Sequence, residues 1–197
     1  MLAGDFGEVV TLLGAGERIV TLDDARLEEL PVSAAGRVAI GVMLEDERRL
    51  RELALEPVLN CIHGYPRDEE SPVPTDVFSF HTDSAPVETD TWLCTYHGPA
   101  SEGLRNDEAV RRVDIPSTRA ALLESFGGED GDDFRDYLSE HCYDLHYAPV
   151  PQAQPFSFGL GHLWRIAVDY PGSPVPPCIH RAPMHGPDDP PRLLLIS

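Results

Sequence analysis

Residues 76–83 read DVFSFHTD, and residues 91–98 read TWLCTYHG. Both are short, rich in β-branched and aromatic side chains, and bounded by Pro, Gly, Asp or Ser, which is the pattern of strands separated by tight turns. The pattern continues outward in VLNCIHG (58–64), AVRRVDI (109–115), HCYDLHY (141–147), LWRIAVDY (163–170), VPPCIH (175–180) and RLLLIS (192–197). Many short strands punctuated by Pro and Gly predict a sandwich or barrel. A helical insert interrupts them, PSTRAALLESF (116–126) with Ser117 as N-cap and then DDFRDYLSEH (132–141). Only one of the 19 prolines, Pro31, falls in residues 1–56. That segment reads as helices at 22–30 and 42–57, with RVAIGVM (37–43) as a strand between them. The expected organisation is a single domain, mainly β (α+β). An N-terminal helical or mixed segment (1–56) packs on a β core (57–197) that carries the insert at 116–141.

Composition narrows the function. The chain has 197 residues, 15 basic against 34 acidic, and a formal net charge of −19. A field of that sign repels phosphate backbones and anionic surfaces, so nucleic-acid and membrane partners are not expected. Every basic residue is Arg, which excludes Schiff-base lysine chemistry and a P-loop lysine. No apolar run is long enough to span a bilayer, and the N-terminus lacks the basic and apolar regions of a signal peptide. Cys61, Cys94, Cys142 and Cys178 form no C-x-x-C pair and read as free thiols of a cytoplasmic protein.

His81 and Asp83 stand two apart in a strand-like run, where residues i and i+2 share a face. His180 closes a short apolar strand, and Arg192 opens RLLLIS on the face of Leu194 and Ile196. A guanidinium on an apolar face needs an anionic partner. That partner is either a bound carboxylate or a local acid, Asp188 or Asp189. Two histidines and one carboxylate form the facial triad of non-haem Fe(II) oxygenases, with positions left open for a chelating co-substrate and dioxygen. The same three ligands also suit zinc in a non-redox protein.

On strand alternation Trp92, Cys94 and Tyr96 fall on one face and Leu93, Thr95 and His97 on the other. Tyr96 is a candidate co-substrate contact or an ordinary core tyrosine. Asn60, Trp92, His97 and Arg181 are candidate substrate contacts, and Arg181 is also a rival clamp. His141 and His146 point to opposite faces on this reading, so no joint site is expected of them. His162 and His185 read as solvated loop residues.

The ordered set His81-Thr-Asp83, Ile179-His180-Arg181-Ala-Pro183 and Arg192-Leu-Leu-Leu195 resembles the H-x-D…H…R pattern of Fe(II)/2-oxoglutarate-dependent oxygenases. With Leu93-Cys-Thr-Tyr96-His-Gly98-Pro99-Ala-Ser101-Glu102, residues 81–197 also resemble an uncharacterised bacterial family known only as a domain of unknown function. The oxygenase resemblance implies a double-stranded β-helix (jelly roll, cupin-like). It makes His81, Asp83 and His180 the Fe(II) ligands and Arg192 the clamp on the distal carboxylate of 2-oxoglutarate. It further implies oxidation of a small-molecule substrate. Two departures stand out: His180 and Arg192 lie 12 positions apart, and Leu194 takes the place of a hydroxyl residue.

Overall fold

The computed structural model describes residues 2–14, 16, 18–68, 71–184, 186 and 189–197. The fold is mixed α+β, built on two antiparallel sheets as in a β-sandwich or jelly roll. The N-terminal segment gives α1 (Phe6–Leu13), β1 (Ile19–Leu22), α2 (Asp24–Glu28) and α3 (Ala34–Glu52). Next come β2 (Val58–Ile62), β3 (Phe80–His81), β4 (Asp90–His97), β5 (Glu102–Leu104) and β6 (Ala109–Arg111). The insert helices are α4 (Pro116–Phe126) and α5 (Asp132–Glu140). The chain continues through β7 (His146–Pro149), β8 (Phe156–Ser157), β9 (Trp164–Ala167), β10 (Ile179–Arg181) and β11 (Arg192–Ile196). One sheet has the order β1-β2-β11-β4-β9, and the other has β6-β7-β3-β10-β5-β8. No helix among the described residues is long and apolar enough to cross a membrane. The four cysteines are free; Cys61 and Cys94 are buried and Cys142 is exposed.

Several local expectations are revised. The 37–43 run is helical, inside α3. Ser33 caps that helix through Gly36 N at 3.2 Å. Its buried residues Gly36, Ala39, Ile40, Met43, Glu47 and Leu50 recur at three- and four-residue spacing. Cap and spacing together outweigh the β-branched Val38 and Val42, and Val38 faces solvent. α4 starts on Pro116 at its first turn, with Ile115 rather than Ser117 at the cap position. β3 keeps only two of the eight residues expected of it. Asp76 Oδ1 accepts from the Phe78 and Ser79 amides at 3.1 and 3.2 Å, turning the chain before the strand begins.

α1 and α3 cover the outer face of the first sheet. Phe6, Val9, Val10, Ile40, Met43 and Leu50 pack there against Leu59, Cys61, Cys94, Tyr96, Leu193 and Leu195. The two helices are tied together by Glu8, whose carboxylate accepts from Ser33 N at 2.8 Å and Ser33 Oγ at 2.7 Å. On the inner face Ile62, Leu93, Ile166 and Leu194 pack with Phe158. The insert has a smaller core of its own, with Val113, Leu122, Phe134 and Leu138.

Candidate metal centre

β3 and β10 are antiparallel neighbours in which His81 stands directly opposite His180. Residues opposite one another project from the same face, so the two imidazoles meet, with ring centroids 4.6 Å apart. Asp83 follows β3 by two residues. Its carbonyl accepts from Asp169 N at 2.8 Å, which fixes the chain where the strand ends. Asp83 Oδ1 lies 3.9 Å from His81 Nε2 and 3.8 Å from His180 Nε2. Metal bonds of 2.0–2.2 Å put neighbouring donors roughly 3 Å apart around an octahedral ion. Those two separations exceed that spacing by less than about 1 Å, and all three donors lie within 4.8 Å of one another, so a modest contraction lets them share one ion.

The second contacts of each ligand are in place. His81 Nδ1 is bonded to Ser79 O at 2.8 Å, and His180 Nδ1 to Cys178 O at 3.2 Å. Each carbonyl holds the Nδ1–H tautomer and leaves Nε2 with a bare lone pair. Thr91 Oγ1 donates to Asp83 Oδ2 at 2.6 Å, leaving Oδ1 to face the imidazoles. Burial, foremost, holds the His180 pKa below its ordinary value, with His81 adding to the shift and Asp83 opposing it. His180 therefore stays neutral and ligand-competent further into acid. Among the described residues, His81, Asp83 and His180 are the group of His, Cys, Asp and Glu side chains that could hold an ion.

Arg192 lies at the start of β11, opposite Ile62 of β2, and is 1% exposed. Its Nη1 donates to Tyr65 Oη at 3.2 Å, and its Nη2 to Ser101 Oγ at 2.9 Å and Thr95 Oγ1 at 3.3 Å. Its Nε has no partner among the described residues. No carboxylate among the described residues pairs with it. Asp189 is exposed and takes Gly186 N at 2.7 Å instead, while Asp188 lies outside the described residues. Burial lowers the Arg192 pKa, a sign that its charge is poorly compensated. Gly98, at φ +79°, lets the chain press against this arginine. A Cβ there would stand 2.9 Å from Pro191 O and 3.1 Å from Arg192 Cα.

The other candidates are placed as follows. Tyr96 lies on the helix side, stacked on Phe6 with centroids 5.6 Å apart, and its hydroxyl donates to Asp46 Oδ2 at 2.9 Å. The structure thus gives it a contact with α3, and Tyr65 is the tyrosine that reaches Arg192. His97 was expected on the Thr95 face. A bulge intervenes, because Leu193 faces His97 while Leu194 faces Thr95. The extra residue turns His97 to the helix side, beside Gly7. Trp92 packs against the same helix-side core, under Arg165. Asn60 accepts from Thr21 Oγ1 at 3.0 Å across to β1. Arg181 donates to Glu102 at 2.8 Å and lies over the Phe80 ring, so its charge is already matched. His162 is exposed, and His185 lies outside the described residues.

Sequence reading missed four participants: Thr91, Tyr65, Ser101 and His146. Thr91 shares the face of Leu93 and Thr95, a signal that alternation alone carried. His146 is opposite His81 on the flank away from His180, with ring centroids 5.7 Å apart. It is buried, and that burial, with His81 and Arg112 nearby, lowers its pKa. His141, by contrast, stacks on Tyr143 in the insert. No family model, no curated protein and no solved structure matches this chain, so the reading of its site rests on the residues themselves.

Proposed function

We propose that this protein is a cytoplasmic, mononuclear non-haem Fe(II) oxygenase that uses 2-oxoglutarate to oxidise a small molecule. The observation that carries the reading is a conjunction inside one sandwich. A three-donor group that could hold an ion occurs together with a buried arginine that has no carboxylate partner among the described residues. The two are linked through Phe158, which packs with Leu194 of the arginine's strand and lies 6.5 Å from the His180 ring.

The strand order supports a double-stranded β-helix. With β1, β6 and β7 set aside, the remaining eight strands form sheets in the order first-eighth-third-sixth and second-seventh-fourth-fifth. That is the interleaving produced when a long antiparallel hairpin is wound into a jelly roll.

The donor set fits Fe(II): two imidazoles and one carboxylate would hold the ion and leave its other positions to exogenous ligands. Bound iron would supply the activation of dioxygen, and the protein's part is to bind, orient and exclude water. His81, Asp83 and His180 would hold the ion. Thr91 keeps Asp83 turned so that one oxygen serves the ion. The Arg192 fork, with Ser101, Thr95 and Tyr65 around it, offers charge and hydroxyls to the far carboxylate of the keto acid. The unpartnered Nε is a donor that a bound acid would satisfy.

The test is an anaerobic titration of the Fe(II)-loaded protein with 2-oxoglutarate. The oxygenase reading expects a visible metal-to-ligand charge-transfer band that saturates with the keto acid. If iron binds and no band forms, 2-oxoglutarate is the wrong co-substrate. If zinc binds and iron does not, the site belongs to a non-redox metal protein.

A further inference from the structure

Three histidines, and not two, stand in one row across the second sheet. His146 of β7 is opposite His81 of β3, which is opposite His180 of β10. All three side chains therefore project from the same face of adjacent strands. All three are also held in the same way. His146 Nδ1 is bonded to Cys142 O at 2.8 Å, as His81 Nδ1 is to Ser79 O at 2.8 Å and His180 Nδ1 to Cys178 O at 3.2 Å. In each case Nε2 is left as a bare acceptor. His146 is 5% exposed, and its Cys142 contact engages Nδ1 and not Nε2. An imidazole held through Nδ1 keeps its Nε2 lone pair for a ligand, as in the two neighbouring histidines of the row.

We propose that His146 is a fourth, exchangeable ligand of the centre, completing a three-histidine, one-carboxylate set when no co-substrate occupies the ion. The inference rests on the reading of His81, Asp83 and His180 as metal ligands. His146 Nε2 lies outside the 4.8 Å group that those three donors form. Its ring, 5.7 Å from that of His81 against 4.6 Å for His180, must swing inward to bind. The strand that carries it makes this a device of the insert. β7 follows α5 and extends the sheet beyond β3, so the strand that returns from the insert brings a third imidazole beside the other two. Four protein donors close a tetrahedral zinc or cobalt site. On an octahedral ion they would leave two positions, which a chelating keto acid would fill, so any further ligand would need His146 to withdraw.

The experiment uses full-length protein loaded with Co(II) or Zn(II), without 2-oxoglutarate. X-ray absorption should count three imidazoles in the wild-type shell, and two in His146→Ala. Co(II) affinity should fall tenfold or more in His146→Ala and stay unchanged in His141→Ala, which alters an exposed histidine of the insert. Loss of affinity with a wild-type count of two imidazoles would make His146 an outer contact and overturn the proposal, while leaving the three-ligand centre intact. If wild-type protein binds no metal, or binds it equally well as Asp83→Ala, the three-ligand reading itself fails and this inference with it. Should His146→Ala not fold, the wild-type count still decides, and His146→Gln keeps a polar side chain at the position.

Discussion

The two faces of β4 are made of different material. Toward the helices, Cys94 and Tyr96 are buried in the largest apolar cluster of the molecule, with Trp92 packed at its edge. Toward the second sheet, Thr91 holds Asp83, Leu93 packs with Phe158, and Thr95 meets Arg192. The helix face is an ordinary core whose one buried tyrosine hydroxyl is matched within the chain. Toward the second sheet the described residues leave Arg192 Nε without a partner and set a carboxylate oxygen 3.8–3.9 Å from two imidazole Nε2 atoms, close enough to share an ion but not to bond one another. Stability is built on one face of a strand, and unsatisfied polarity is held on the other. A protein tolerates buried polar groups without partners where a ligand completes them.

The largest expected effect on this contrast comes from Asp83→Ala. Removing the only carboxylate of the group should eliminate stoichiometric metal binding and the 2-oxoglutarate charge-transfer band, as followed by metal analysis and anaerobic titration. The fold should persist, because the Asp83 side chain is one-third exposed and outside the apolar clusters.

Next in size are the two arginines that follow His180. Arg192→Ala should weaken 2-oxoglutarate binding tenfold or more, about 1.4 kcal/mol per decade. Arg181→Ala should leave that affinity unchanged, since Arg181 is paired with Glu102 on the opposite face. Stability should respond in the other direction. Arg192→Met removes a buried charge that has no carboxylate partner among the described residues. Such replacements are commonly neutral or stabilising, so the apo protein should unfold at an equal or higher temperature. Marked destabilisation of Arg192→Met, with keto acid affinity intact, would mean the guanidinium serves the fold.

That pair also shows how far the sequence could be read. Two-residue spacing was enough to join His81 to Asp83, and the apolar run after Arg192 was enough to bury it. Both inferences depend on one strand at a time. What stayed hidden depends on pairing between strands, or on departures from regular geometry. His146 meets His81 only because β7 returns beside β3, and HCYDLHY alone hid this by reading as one strand. In fact Cys142, at φ +58°, and a short 3₁₀ turn at Tyr143–Leu145 separate His141 from His146. The bulge opposite Leu193 and Leu194 shifted His97 to the helix side, which strict alternation cannot anticipate. RVAIGVM failed for a related reason. Its residues favour strands locally, and the core they bury is laid out at helical spacing.

A smaller effect distinguishes the buried imidazoles from the charged surface. His146 and His180 both have folded pKa values below their ordinary ones, in each case chiefly through burial. The unfolded chain then binds more protons than the folded chain below about pH 6.5. Stability of the apo protein should accordingly be full above that pH and decline as the pH falls toward the lowered folded values. His146→Gln should flatten the decline in chemical-denaturation curves collected between neutral and mildly acidic pH. Saturating Zn(II) should steepen it, because protons and metal compete for the same Nε2 atoms. An apo stability curve that is flat through this window would show that the inner face is solvated and not buried.

The smallest effect belongs to the two tyrosines, which look alike in sequence and are separated by β4. Tyr96→Phe removes a hydroxyl that donates to Asp46 on α3, while its ring keeps the stack on Phe6. The cost should be about 1.5–3 kcal/mol of stability, the range of a hydrogen bond to a charged side chain, with metal and 2-oxoglutarate affinities unchanged. Tyr65→Phe should do the reverse. It takes one acceptor from the Arg192 guanidinium and leaves the ring's edge-on contact with Phe78, 5.8 Å between centroids. Keto acid affinity should shift by a fewfold while thermal unfolding moves little. If Tyr96→Phe instead lowered 2-oxoglutarate affinity and spared stability, the helix-covered face would have to be part of the site. The division of β4 into a structural face and a ligand face would then be wrong.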